Sequence, residues 1–371
     1  MYFLQKKKPA IRTPSVYRCL LGTFRHKARM LSTVCLLIPA LGILSSGANA
    51  ATVKYVDHDP LGGMRPQFIK DVWLNEIEKQ TDGKVKFQDF FGGTLFSSKE
   101  SLKGVGDGIA EMGFVYPGHY PKRLIAHSVF SMFPTGPNTF EQQVWLYRKA
   151  YEEVPELKAE LAKAGVMPLM LTAGLPGAFA SVNPVTSIHD IKSEKWRAGG
   201  KWLLRYLQAV GASPVAVPWG DIYVALQTGT IDGVFTNYDG LHAMKFDEVA
   251  PHMLMSKRLW FPAPFIHVAN IRFFNRLPEE VQEAILNASK IAEQKFAPVW
   301  DAEYEKIKRE QLAAGYTLTE MSDEDLALWE NKEKLTELQN QWVEEAKKAG
   351  LTDAAEIMEK VRKIHAVAIQ Q

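Results

Sequence analysis

The stretch Ile191–Asn237, "IKSEKWRAGGKWLLRYLQAVGASPVAVPWGDIYVALQTGTIDGVFTN", carries the deciding pattern. Short β-like runs ("KWRAGG", "SPVAVP", "GVFTN") alternate with helical ones ("KWLLRYLQAVG", "GDIYVALQTG"). That alternation marks an α/β architecture. Within it, Arg197 stands at a strand end, just ahead of Ala198-Gly199-Gly200. An arginine beside a glycine break can turn its planar fork toward a ligand. On an open surface strand it would be an ordinary solvated charge.

The same alternation extends outward. "ATVKYVDHD" (51–59) reads as a strand, 64–81 as an amphipathic helix and "KVKFQDF" (84–90) as a second strand. Residues 99–116 read as a helix, a glycine turn and a third strand, 139–164 as a helix, and "VMPLMLTAG" (166–174) as a strand. "GAFASVN" (177–183) opens a second α/β lobe that lasts to about Pro264. "FIHVANIRFF" (265–274) resumes a long strand. From Pro278 the pattern is helical nearly to the end, with a kink expected at Pro298. The expected division is 1–50 as a leader, 51–173 as the first part of lobe I and 174–264 as lobe II. Residues 265–371 form a return strand and C-terminal helices that complete lobe I and span both lobes. Crossing segments near Thr172 and Pro264 would act as hinges.

The first 50 residues stand apart. They hold eight basic residues and no acid, then the apolar run Met30–Ser46, then Ala48-Asn49-Ala50. This is the pattern of a secretory signal peptide, with the exported chain starting at Ala51 and periplasmic. With those eight removed, 36 Lys and Arg face 42 Asp and Glu. A mildly acidic chain is a poor partner for nucleic acid or an anionic membrane. Both cysteines, Cys19 and Cys35, precede the cut, which excludes disulfides, thiol catalysis and thiolate metal sites beyond it.

The motifs G-x-S-x-G, H-E-x-x-H, G-x-x-x-x-G-K-[ST] and G-x-G-x-x-G are all missing. The histidines never pair at i, i+4, so no metal or other cofactor is expected. Aromatic residues crowd the second lobe. Trp219, in the loop Pro218-Trp219-Gly220-Asp221, reads equally as pocket wall or core.

The central segment resembles the DctP-type substrate-binding proteins of TRAP transporters. The match runs through Asp190–Arg197, Gly211-Ala212-Ser213-Pro214, Tyr223–Gly229 and Asp232-Gly233. It extends to "GTLFSSKESLKGVGDGIAEMGF" (93–114) and "LPEEVQEAILNAS" (277–289). The resemblance implies a two-lobed periplasmic binding protein, type II-like, with hinge strands and long C-terminal helices. It also implies closure on a small organic anion and its transfer to the membrane permease subunits. By the same resemblance Arg197 is the carboxylate clamp. Counting along the motif places His58, Tyr116, Asn183, Trp219, Thr236 and Asn237 at the ligand as well.

Two departures refine the expectation. Tyr116 and Asn183 stand where a sialic-acid-binding branch carries charge, which argues for a single carboxylate. Val234-Phe235-Thr236-Asn237 stands where a metal-using branch has glutamate and tryptophan. Trp219, Phe235, Tyr238 and Tyr116 would together suit a flat or apolar ligand body, aromatic among the alternatives. Two other readings stay open at this point. One is a ligand sensor for a signalling partner, and the other a secreted α/β hydrolase or lyase that uses a histidine such as His58.

Overall fold

The computed structural model describes residues 51–370. The leader and both cysteines lie outside them. Eleven strands appear in chain order: β1 Ala51–Val56, β2 Val85–Phe90, β3 Met112–Val115, β4 Val166–Thr172, β5 Gly177–Ser181, β6 Lys195–Ala198, β7 Ser213–Pro214, β8 Gly233–Asn237, β9 His252–Met255, β10 Phe265–Asn270 and β11 Thr317–Glu320. They form two mixed sheets. One has the order β2-β1-β3-β10-β4, the other β11-β9-β5-β8-β6-β7. Each is mostly parallel with one antiparallel insertion: β10 runs against β3 and β4, and β5 against β8 and β9. The central strands β3, β5, β8 and β10 are buried on both faces, so their sequences are mainly apolar rather than alternating, with buried polar residues such as His267 and Asn237 among them.

The chain crosses from the first sheet to the second between Thr172 and Gly177, and returns between Met255 and Phe265. The helix Glu279–Ala313 then runs through Pro298 without a break in its assignment and packs along both halves. Three side-chain bonds pin it. Trp73 Nε1 donates to Ser289 Oγ at 2.9 Å, Trp300 Nε1 to the Gly174 carbonyl at 2.9 Å, and the Tyr238 hydroxyl to Gln311 Oε1 at 2.6 Å. The first anchors the lobe I helix, the second a crossing segment, and the third the second lobe.

Several elements differ from the sequence reading, each for a local reason. The 139–164 helix breaks before Pro155, which starts a new helix because proline lacks an N–H yet fits a first turn. The strand read over 265–274 stops at Asn270, whose Oδ1 accepts the Phe273 N–H and caps a short helix. Only Ser213–Pro214 of "SPVAVP" pairs in the sheet. The helical tail is interrupted by β11, which pairs in parallel with β9; the reading had neither strand.

Beyond β11, Ser322 caps the helix Asp323–Glu330 through a reciprocal bond with Asp325. Asp325 also accepts the Ser187 hydroxyl at 2.5 Å and the Ile188 N–H at 2.9 Å, which ties the tail to the second sheet. Trp342 Nε1 donates to Ser128 Oγ at 2.7 Å, which ties the tail to the first half.

Asp239 sits where β8 meets its helix. Its Oδ1 accepts the Leu175 N–H and Asn237 Nδ2, both at 2.8 Å. Burial pushes its carboxyl up to about 6, opposed by the Asn237 and Leu175 bonds. Because the folded-state value is raised, the ionised form destabilises the fold as pH rises from about 4 through about 6. Asp239→Asn keeps the acceptor and removes the buried charge. It should be more stable than the parent at pH 7.5, by up to roughly 3 kcal/mol, with the difference vanishing near pH 4. Denaturant unfolding at both pH values checks this; a pH-independent difference would contradict it.

Candidate functional site

The carboxyl ends of β1 and β3 face those of β6 and β8 across a cleft. Ligands of open α/β sheets bind outside such ends. The segments there line a narrow cavity of about 30 Å³. From the first half come His58, Asp59, Phe114, Tyr116, His119 and Phe265. From the second come Arg197, Gly199, Trp219, Thr236, Asn237 and Phe261.

Alternation along β6 sends Trp196 into an aromatic core with Phe179, and Arg197 to the other face. Arg197 is 4% exposed. Its Nε donates to the Val217 carbonyl at 3.2 Å, and its guanidinium lies 5.6 Å from the Trp219 ring centroid. Among the described residues no carboxylate pairs with it. Burial pushes its pKa down to about 10, relieved only slightly by Tyr116. It therefore stays charged at neutral pH, a buried cation whose fork faces the cavity.

The glycines after Arg197 have steric work. A Cβ on Gly199 would sit 3.3 Å from the Tyr116 hydroxyl and 3.4 Å from Phe261, and Gly200 holds φ +113°. Tyr116 stacks on Phe261 at 5.4 Å and donates its hydroxyl to the Gly199 carbonyl at 3.0 Å, across the cleft. A second bond crosses in the same way, from Trp219 Nε1 to Asp59 Oδ1 at 3.0 Å.

Asp59 belongs to a buried network. Arg65 bonds Asp57 through both Nη atoms, at 2.5 and 3.0 Å, and reaches Asp59 Oδ2 at 2.6 Å. Its guanidinium lies 3.5 Å over the Phe114 ring. Burial alone would raise the Asp59 carboxyl, but His58, Arg65 and the Trp219 bond together hold it below the usual range. At the end of β8, Thr236 donates to Asn237 Oδ1 at 3.1 Å, and Asn237 passes a bond to Asp239.

Of the residues expected at the ligand, His58, Tyr116, Arg197, Trp219, Thr236 and Asn237 are brought together here. Three are not. Asn183 is exposed two residues beyond β5 and donates Nδ2 to Glu194 at 2.9 Å. Because β5 is antiparallel, Ser181 pairs with Gly233 at the start of β8, so this end lies away from the cleft. Phe235 alternates with Thr236 and packs into the core against Phe179 and Trp329. Tyr238 turns toward Gln311 and Tyr304. Sequence reasoning did not place Asp59, Phe114, His119, Gly199, Phe261 or Phe265 at the site. No local motif announces them, since four separate segments supply them.

The described residues include no group of three or more His, Cys, Asp or Glu placed to hold a metal, and no helix long and apolar enough to cross a membrane.

Residues 67–346 match the model of the DctP family, bacterial extracellular solute-binding protein, family 7, and the chain belongs to that family. It is 24% identical over 322 residues to the ectoine-binding periplasmic protein TeaA of Halomonas elongata, covering 85% of this chain and 91% of that protein. It is 28% identical over 270 residues to a monocarboxylate 2-oxoacid-binding periplasmic protein of Nostoc sp., covering 67% and 68%. In fold it is similar to a TRAP solute binding protein from Rhodoferax ferrireducens T118 solved with copurified benzoate. That match has a TM-score of 0.77 and 21% identity, over 86% of this chain and 99% of that one.

The Tyr116–Gly199 bond spans the cleft without adding charge, so Tyr116→Phe should remove it while keeping the ring stack. A net hydrogen bond of about 0.5–1.5 kcal/mol predicts a loss of roughly two- to tenfold in ligand affinity. Calorimetry on the parent and variant reads it; equal affinities would mean the bond does not favour the closed cleft.

Proposed function

We propose that the chain is the exported receptor of a TRAP transporter: it captures a small monocarboxylate in the cleft and delivers it to the membrane permease subunits. The observation that carries this reading is Arg197, a buried guanidinium with no protein anion opposite it. A planar fork in a water-poor cavity matches a carboxylate in two parallel bonds. The walls contributed by Phe114, Tyr116, Trp219, Phe261 and Phe265 favour a flat, apolar body. Benzoate in the Rhodoferax protein is consistent with that choice. Export through the N-terminal leader, with a start at Ala51, belongs to the same reading.

Binding without chemistry fits the lining. The Tyr116 hydroxyl is committed to the Gly199 carbonyl and that of Thr236 to Asn237, so neither is a nucleophile primed by a histidine. Removing Arg197 would leave a ligand anion desolvated and unpaired, at a cost of about 2–5 kcal/mol. Arg197→Ala should therefore weaken binding by roughly 30- to several-thousand-fold. Arg197→Lys keeps the charge, loses the fork and should also bind poorly. Arg205 pairs with Glu345 at 2.7 Å and lies 4.5 Å over the Trp202 ring, so Arg205→Ala is the control and should bind nearly normally. A thermal-shift screen of carboxylates, benzoate included, chooses the ligand, and calorimetry follows. If folded Arg197→Ala binds within a factor of two of the parent, the clamp reading is wrong.

A further inference from the structure

His58 and His119 both line the cavity, and each carries a buried Nδ1 with no hydrogen-bond partner. His58 Nε2 comes no closer than 3.8 Å to Asp59, and the His119 ring makes no hydrogen bond among the described residues. The rings are 5.2 Å apart at 63°, with His58 stacked on Phe114 at 5.0 Å and His119 edge-on to Tyr116 at 4.9 Å. Both rings are thus held in place by packing, with Nδ1 of each left unpaired. Buried polar groups of native proteins are rarely left so, and an unsatisfied pair inside a cavity points to a ligand.

The chemistry of the pair narrows what that ligand carries. Burial first, then His58 and Arg197, push His119 well below its usual value, so it is a neutral imidazole with one N–H and one bare nitrogen. A carbonyl oxygen could accept an N–H but would leave the bare nitrogen unmet. A second carboxylate would do the same and would also meet the Asp57–Asp59 network. A hydroxyl accepts from one ring and donates to the other.

We propose that His58 and His119 form a hydroxyl-recognition pair, so that the site selects a hydroxylated carboxylate over its unsubstituted parent. This rests on the carboxylate reading above and specifies it. The pair sits beside Phe114 and Tyr116, so the hydroxyl is carried on the ligand body that these rings enclose.

The test measures affinities of the full exported chain for matched acids: benzoate against 3- and 4-hydroxybenzoate, and propanoate against 2-hydroxypropanoate. The expected result is at least about tenfold tighter binding of a hydroxylated member than of its parent, because a site built to bond a hydroxyl leaves its own groups unpaired without one. In His119→Phe and in His58→Phe that ratio should fall toward one. His119→Asn, which restores a donor and an acceptor, should keep part of it. Parents that bind as tightly as their hydroxylated forms overturn the hydroxyl pair and leave the Arg197 clamp standing. So does a full ratio that survives in both phenylalanine variants. If no acid of either series binds at millimolar concentration, the carboxylate reading fails and this inference with it.

Discussion

Two guanidinium groups are buried in this cleft, and the protein neutralises only one of them. Arg65 has Asp57 and Asp59 in direct contact and the face of Phe114 beneath it. Arg197 has one carbonyl and, at 5.6 Å, an indole ring. Taking a charge out of water costs several kcal/mol even after relaxation, and only a well-placed counter-charge recovers it. The Arg65 network is therefore part of the fold, whereas Arg197 is a cost that the two apolar cores must carry. On the proposed reading a ligand anion removes that cost, and the binding free energy includes it.

That constraint explains how the cleft is tied to its hinges. Asn237, in the cavity wall, bonds Asp239, and Asp239 accepts the Leu175 N–H in the first crossing segment. Trp300 of the long helix holds Gly174 in the same segment. Tyr116–Gly199 and Trp219–Asp59 then span the two walls directly. Asn237 therefore reaches a crossing segment through the single intermediary Asp239. Two short crossings join the halves, and the helix Glu279–Ala313 rests on both.

The parts legible in the sequence are those set by neighbours in the chain. β1, β2, β3 and β10, the helix over 64–80, and the strand-helix alternation around Arg197 follow from periodicity and glycine punctuation. Arg197 was legible because its strand, glycine break and following helix are contiguous. Residues read at the ligand line the cavity where they end a parallel strand, as at Asn237. They lie elsewhere where strand facing or direction decides. Phe235 and Thr236 are adjacent yet lie on opposite faces of β8, and Asn183 follows an antiparallel strand. His119 and Phe261 reach the site only through the stacking of strands far apart in sequence, which no local pattern encodes.

The charges in the walls also set the valence of what can bind. Asp57, Asp59 and Arg65 together carry one net negative charge, and Arg197 carries one positive charge. Trp219 stands between the two sets: its N–H satisfies Asp59, and its ring lies near the guanidinium. A ligand with one carboxylate matches Arg197 while the rest of its body lies against rings and neutral polar groups. A second carboxylate would have to sit toward Asp59, whose charge Arg65 offsets only in part because Asp57 shares it. At a separation of 4 Å and the effective dielectric of a partly buried site, each such like-charge contact costs about 4 kcal/mol. On the proposed reading, with Arg197 holding the ligand, this charge pattern favours monocarboxylates over dicarboxylates, and the apolar walls choose among them.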